Sequence, residues 1–215
     1  MANFLKFLPG LLRREGGYVD HELDSGGETY AGVARAYNPR WEGWSHVDLA
    51  KAKLGLKRPV PRTKYADINK ALAADVAMPT VLSSFYKPNY WDVLLLDQVK
   101  SQALAEQMAD HSASAGPSRP AAMIQYALNQ ITPTNQPRLT VDGVVGPRTI
   151  AAVNAADQAA LLKAFVQLRR DHYEYRTGTR TPAPGVVALL KSLKVWPDPT
   201  QKIFLNSWLA RLPKL

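Results

Sequence analysis

A chain of 215 residues, 46% hydrophobic and 21% charged, can bury a core in one large domain or two small ones and is too apolar to remain disordered. The absence of cysteine excludes disulfides and thiolate metal sites, and no run of about 18 apolar residues exists to span a membrane. The net charge of +9 favours an anionic partner, with 13 basic against 10 acidic side chains in residues 1–95 and 14 against 8 in residues 96–215. Zinc fingers, RNP-like strands and basic heptads are missing, so nucleic acid is not the expected partner. His21, His46, His111 and His172 lack metal-ligand spacing, and no metal or cofactor is expected.

The first predicted element is a helix, because Phe4, Leu5, Phe7, Leu8, Leu11 and Leu12 recur at spacings of three and four. Gly16 and Gly17 stop it, which leaves Glu15 in its last turn. The unpaired carbonyls of a helix end disfavour a second negative charge, and a carboxyl that keeps its proton is what a glycosidase needs to protonate a leaving oxygen. Behind it, Asp24-Ser25-Gly26-Gly27 reads as a turn and Thr29-Tyr30 as an extended return. Such a hairpin folds Asp24 and Thr29 back over the helix end. An inverting glycosidase holds its second carboxylate roughly 6.5–9.5 Å from the acid, with water between. Asp24 is the candidate for that carboxylate, Asp20 and Glu22 are its competitors, and the hydroxyl of Thr29 is placed to orient the water.

The stretch Glu15-Gly-Gly-Tyr-Val to Asp24-Ser-Gly-Gly-Glu-Thr29-Tyr-Ala-Gly-Val33 resembles the N-terminal signature of glycoside hydrolase family 108, the peptidoglycan-cleaving N-acetylmuramidases related to bacteriophage endolysins. The order Glu, Asp, Thr is also similar to the phage-lysozyme pattern, with Thr29 one residue closer to the Asp. The resemblance implies that Glu15 is the catalytic acid, with Asp24 and Thr29 in support. It also implies a mainly α, lysozyme-like helical fold with a small β-hairpin near the N-terminus. The expected substrate is the β-1,4 bond between N-acetylmuramic acid and N-acetylglucosamine in peptidoglycan strands, cut with inversion. A non-catalytic wall-binding or phage structural protein is the alternative.

Further along, Gly32 to Tyr37 is expected to open a short helix that stops before Pro39. Trp41 and Trp44 sit in a Gly-containing loop, as a hydrophobic plug or as a wall of the sugar groove. A helix is expected from Ser45 to Gly55, then a basic proline-bearing loop. Beyond Thr63 comes a long helical segment that Pro79 must kink or divide. Tyr90 and Trp91 close this region, either pinning helices or lining the groove. Together with Tyr18, Tyr30 and Trp44 they are the expected substrate-binding aromatics.

The second region is predicted as helices over Ser101–Ala115, Pro120–Ile131 and Asp157–Arg176, followed by a Thr/Gly/Pro loop and a shorter apolar segment from Val186 to Val195. A final helix begins at Asp198-Pro199 and puts Phe204, Leu205, Trp208 and Leu212 on one face to dock as core. His111 reads as a core or helix-end histidine. Asp142-Gly-Val-Val-Gly146-Pro147-Arg-Thr149 is similar to an Asp-Gly-x-x-Gly-Pro-x-Thr motif of peptidoglycan-binding modules, though the same residues also build a loop before a helix. The expected organisation is therefore a catalytic region over 1–95 and a helical peptidoglycan-binding-like region over 96–215, acting as a monomer. The N-terminal residues do not read as a secretory leader, so synthesis in the cytoplasm and action on the wall after holin-type release, dedicated secretion or lysis are expected.

Overall fold

The computed structural model describes residues 1–20 and 27–214. Within them the chain is mainly helical, with a small antiparallel sheet near the N-terminus, the fold class the sequence predicts. It divides into two compact units, Phe4–Pro88 and Asn89–Leu215, the second including Met1–Asn3.

The first unit opens with α1 (Phe4–Glu15), which buries Phe4, Phe7, Leu8 and Leu11 and leaves Leu5 on the outside. Each buried large apolar side chain contributes roughly 1.5–3 kcal/mol. Arg13 and Arg14 occupy the last turn, where cations suit the negative end of the helix. Strands β1 (Tyr18–Asp20), β2 (Glu28–Tyr30) and β3 (Val33–Ala34) follow in the order β1-β2-β3. Thr29 faces Val19 on one side and Ala34 on the other.

The helix expected from Gly32 is replaced by β3. Ala31 and Gly32 both take positive φ, 46° and 79°, which makes a two-residue hairpin turn of the kind that matches strand twist. That turn returns the chain as a strand before a helix can start. Helix α2 (Gly43–Lys53) begins two residues before Ser45. The long segment after Thr63 is divided into α3 (Tyr65–Ala73) and α4 (Met78–Tyr86), with Pro79 in the first turn of α4, where its missing N–H costs nothing.

The second unit is a helical body of α5 (Gln102–Ala115), α6 (Ser118–Ile131), α7 (Pro147–Ala155), α8 (Gln158–Arg176), α9 (Pro184–Ser192) and α10 (Leu205–Leu209). Ser101 caps α5 by accepting from the Leu104 amide at 3.2 Å, and Asp157 caps α8 from the Ala160 amide at 2.7 Å. The buried alanines Ala105, Ala109, Ala121 and Ala122 let the helices approach closely, and Leu104, Met108, Ile124 and Phe165 fill the core. At the C-terminus, Leu205, Trp208 and Leu209 pack against Val166, Tyr173 and Leu212. Phe204 stays 45% exposed and stacks on Trp208 at 6.0 Å between ring centroids. A short 3₁₀ segment, Pro199–Phe204, leads into α10.

Candidate functional site

Glu15 is the last residue of α1 and is half-buried. Gly16 stops the helix at φ 78°. Gly17 then passes so close to α3 that a methyl group there would stand 2.4 Å from Asn69 Oδ1, the atom that accepts from the Tyr18 amide at 2.7 Å. From the other side comes the β2–β3 turn. A methyl group on Gly32 would stand 2.8 Å from Glu15 Oε2 and 2.7 Å from the Tyr86 hydroxyl, and that hydroxyl donates to the Ala31 carbonyl at 2.5 Å. The carboxyl is thus held where the end of α1, the hairpin turn and α4 converge.

The inner face of the sheet carries charge. The strand register sets Asp20 opposite Glu28, a pairing that would be repulsive by itself. Three cations reverse its sign. Lys51 Nζ reaches Glu28 Oε1 at 2.5 Å and Asp48 at 2.9 Å, Arg35 reaches Glu28 Oε2 and Asp48 at 2.8 Å each, and Arg58 reaches Asp20 at 2.8 Å. Tyr18 donates to Glu28 Oε1 at 2.8 Å, and burial, then that hydrogen bond, push its phenol far above the usual range. Burial pushes the Asp20 carboxyl up, but the hydrogen bonds from Arg58 and the Val60 amide and the charges of Arg58 and Lys51 outweigh it and hold it below the usual value. Asp20 is therefore engaged as a structural anion. Glu28, 1% exposed, is the hub of this network. The sequence marks it only weakly, by its alternation with Tyr30 in an extended segment.

Asp24 and its competitor Glu22 lie outside the described residues. Thr29 is half-buried on the sheet face opposite Glu28, and among the described residues its hydroxyl makes a long 3.4 Å contact to the Gly27 carbonyl. Tyr30, also half-buried, directly precedes the Ala31-Gly32 turn, and burial, then the charge of Asp75, raise its phenol.

Three expected sugar-binding rings lack a free face. Tyr18 is 1% exposed and packs edge-on to Tyr65. Trp44 is 4% exposed, donates from Nε1 to the Asn38 carbonyl at 2.7 Å and has the Arg35 guanidinium 4.5 Å over its ring. Trp91, in the second unit, is fully buried and donates to Asp97 at 2.7 Å. In each case burial of the large ring outweighs exposure. Tyr90 is half-buried in the π-helical turn Lys87–Trp91. A run of edge-to-face rings links Trp44 to Trp41 (5.1 Å), Trp41 to Phe85 (5.9 Å) and Phe85 to Tyr86 (5.2 Å). It therefore ends on the phenol beside Glu15.

In the second unit the Asp142-Gly143 motif is caged by Gln125 of α6, which is buried. Its side chain donates to Asp142 Oδ1 and the Val144 carbonyl at 2.8 and 2.9 Å and accepts from the Asp142 and Gly143 amides at 3.1 Å. The motif thus builds the loop before α7.

A family model described as glycosyl hydrolase 108 matches residues 8–116, and one described as a predicted peptidoglycan domain matches residues 119–213. No curated protein matches the chain. Among solved structures, one titled "Structure of Brucella abortus SagA" aligns over 97% of this chain and 88% of its own, with a TM-score of 0.53 and 22% identity, a likeness of fold.

Proposed function

The chain belongs to the glycosyl hydrolase 108 family, and on that premise we propose that Glu15 is the acid that protonates the leaving oxygen of a glycosidic bond. Family membership together with the peptidoglycan domain makes the protein a peptidoglycan hydrolase of the glycoside hydrolase class. The observation that carries the role of Glu15 is its position, a half-buried carboxyl at the end of α1 braced by the Gly32 turn.

Asp24 is the proposed second carboxylate, activating water or steadying the charge that builds on the sugar, with Thr29 helping to place that water. The engagement of Asp20 with Arg58 and the Val60 amide favours Asp24 over that competitor. The proposed target is the β-1,4 bond between N-acetylmuramic acid and N-acetylglucosamine, cut with inversion. Tyr30 is the proposed ring contact to substrate in the first unit, while Tyr18 and Trp44 support it from within. Catalysis is assigned to residues 1–95 and wall attachment to residues 96–215. The setting proposed from the resemblance is that of a monomeric endolysin-type enzyme acting on the bacterial wall.

Glu15→Gln keeps the shape of the side chain and removes its acid. Sacculi digested with this variant and separated by mass spectrometry should yield no muropeptides bearing new reducing ends, while the wild type yields them. Normal release by Glu15→Gln would overturn the assignment.

A further inference from the structure

The second unit contains a cavity of about 350 Å³, formed by the end of α5, the start of α6, the end of α8, the turn after α9 and the C-terminal segment. Among the described residues its lining includes Arg119, Arg176, Lys194 and Arg211 and no carboxylate. Asp198 pairs with Arg176 at 3.2 Å. Asp110 lies 3.5 Å from Arg211, but its closer pair is Arg169, at 2.6 Å. Arg119 donates to a neutral group, the Ala115 carbonyl. Among the described residues, Asp198 and Asp110 are the acids paired with these cations, and both lie outside the lining.

His172 also lines the cavity, is 8% exposed, and its Nδ1 has no hydrogen-bond partner among the described residues. A buried polar atom left unpartnered is costly and calls for an explanation. Burial, then the charges of Arg119, Arg169 and Arg176, push this imidazole down to about 3, so its own neighbours exclude a further positive charge. Lys194 adds an independent sign. The Lys194 amide donates to the Lys191 carbonyl and the Val195 amide to the Leu190 carbonyl, the pair of hydrogen bonds that closes a helix with a left-handed residue, usually glycine. Lysine stands there instead, at φ 57°.

We propose that this cavity binds the carboxylate-bearing stem peptide of peptidoglycan, an inference that rests on the peptidoglycan reading above. Several separated cations match several carboxylates better than they match one compact phosphate, and guanidinium groups pair with carboxylates in bidentate geometry. Tyr173, Trp208 and Val195 supply apolar surface for the methyl groups of alanine. The volume suits a short peptide and is too small for several sugar rings.

The test is calorimetric titration of the full chain with a free L-Ala-γ-D-Glu-diaminopimelate-D-Ala peptide, the same peptide with its carboxylates amidated, and inorganic phosphate. The free peptide should bind at least tenfold more tightly than the other two, and Lys194→Gly should weaken it several-fold. Glycine suits that backbone, so the thermal midpoint of Lys194→Gly should be unchanged or raised, which separates lost binding from lost folding. Equal binding of the amidated peptide, equal binding of phosphate, or unaltered peptide affinity in Lys194→Gly would overturn the proposal. Release of reducing ends from sacculi by the same wild-type sample is scored separately: hydrolysis without peptide binding defeats this inference alone, and peptide binding without hydrolysis defeats the catalytic reading.

Discussion

Glu15 and Tyr86 converge on the α-carbon of Gly32, so that one methyl group placed there would stand 2.8 Å from the carboxylate and 2.7 Å from the phenol. Gly32 also sits at φ 79°, which L side chains rarely adopt. Gly32→Ala should therefore destabilise the protein by roughly 1–3 kcal/mol and displace the carboxyl. The expected result is a thermal midpoint several degrees lower and, at temperatures where the variant is folded by circular dichroism, a lytic rate at least tenfold down. A wild-type rate would show that the turn does not position Glu15.

Glu28 holds Lys51, Arg35 and Tyr18 at once. Removing one member of a buried charged set leaves the others uncompensated and costs about 3–5 kcal/mol. Glu28→Gln should lower the urea midpoint accordingly. Asp48, with a side chain 51% exposed, joins the same cations from the solvent side, and Asp48→Asn should cost under about 1 kcal/mol. Equal losses from the two variants would refute the hub role of Glu28.

The second unit should be sensitive to acid. His172 takes a proton near 6.5 when unfolded and near 3 when folded, and burial with neighbouring positive charge also lowers fully buried His111. Between these values the unfolded chain binds more protons, so stability rises with pH across the window. The contribution is complete above about 6.5 and is lost as pH falls toward 3, worth up to about 5 kcal/mol for His172. Thermal midpoints measured from pH 7 to 4 should fall, and His172→Gln should flatten that slope. An unchanged slope would show that this ring is not the group responsible.

Gln125 satisfies four polar groups of the Asp142–Val144 loop. Gln125→Ala removes these four bonds, with Asp142 Oδ1 keeping the Val144 amide at 2.9 Å, and should cost about 2–3 kcal/mol. Amide hydrogen exchange at Asp142, Gly143 and Val144 should accelerate together. Protection persisting at those amides would mean that the loop is held by other contacts.

Most helices were legible in the sequence because apolar spacing and end signals agree. The turn of α1 that carries Glu15 ends at the Gly16-Gly17 pair, and Ser101 and Asp157 mark the starts of α5 and α8. What escaped depended on geometry that composition does not encode. The β3 strand follows from positive φ at Ala31, a residue with no turn preference of its own. The importance of Glu28 follows from a register that sets it against Asp20. Gln125 acts across 17 residues of sequence, beyond the reach of any local pattern. For the candidate site, the end of α1 could be read ahead, while the burial of Tyr18, Trp44 and Trp91 depends on packing partners that a one-dimensional spacing does not supply.

The charge network under the sheet also separates two responses to ionic strength. Counter-ions penetrate poorly to pairs shielded from water, whereas attraction between a chain of net charge +9 and a polyanionic wall is screened over about 8 Å in physiological saline and over shorter distances in brine. Rising salinity should accordingly loosen the grip of the protein on its polymer long before it disturbs the fold around Glu28.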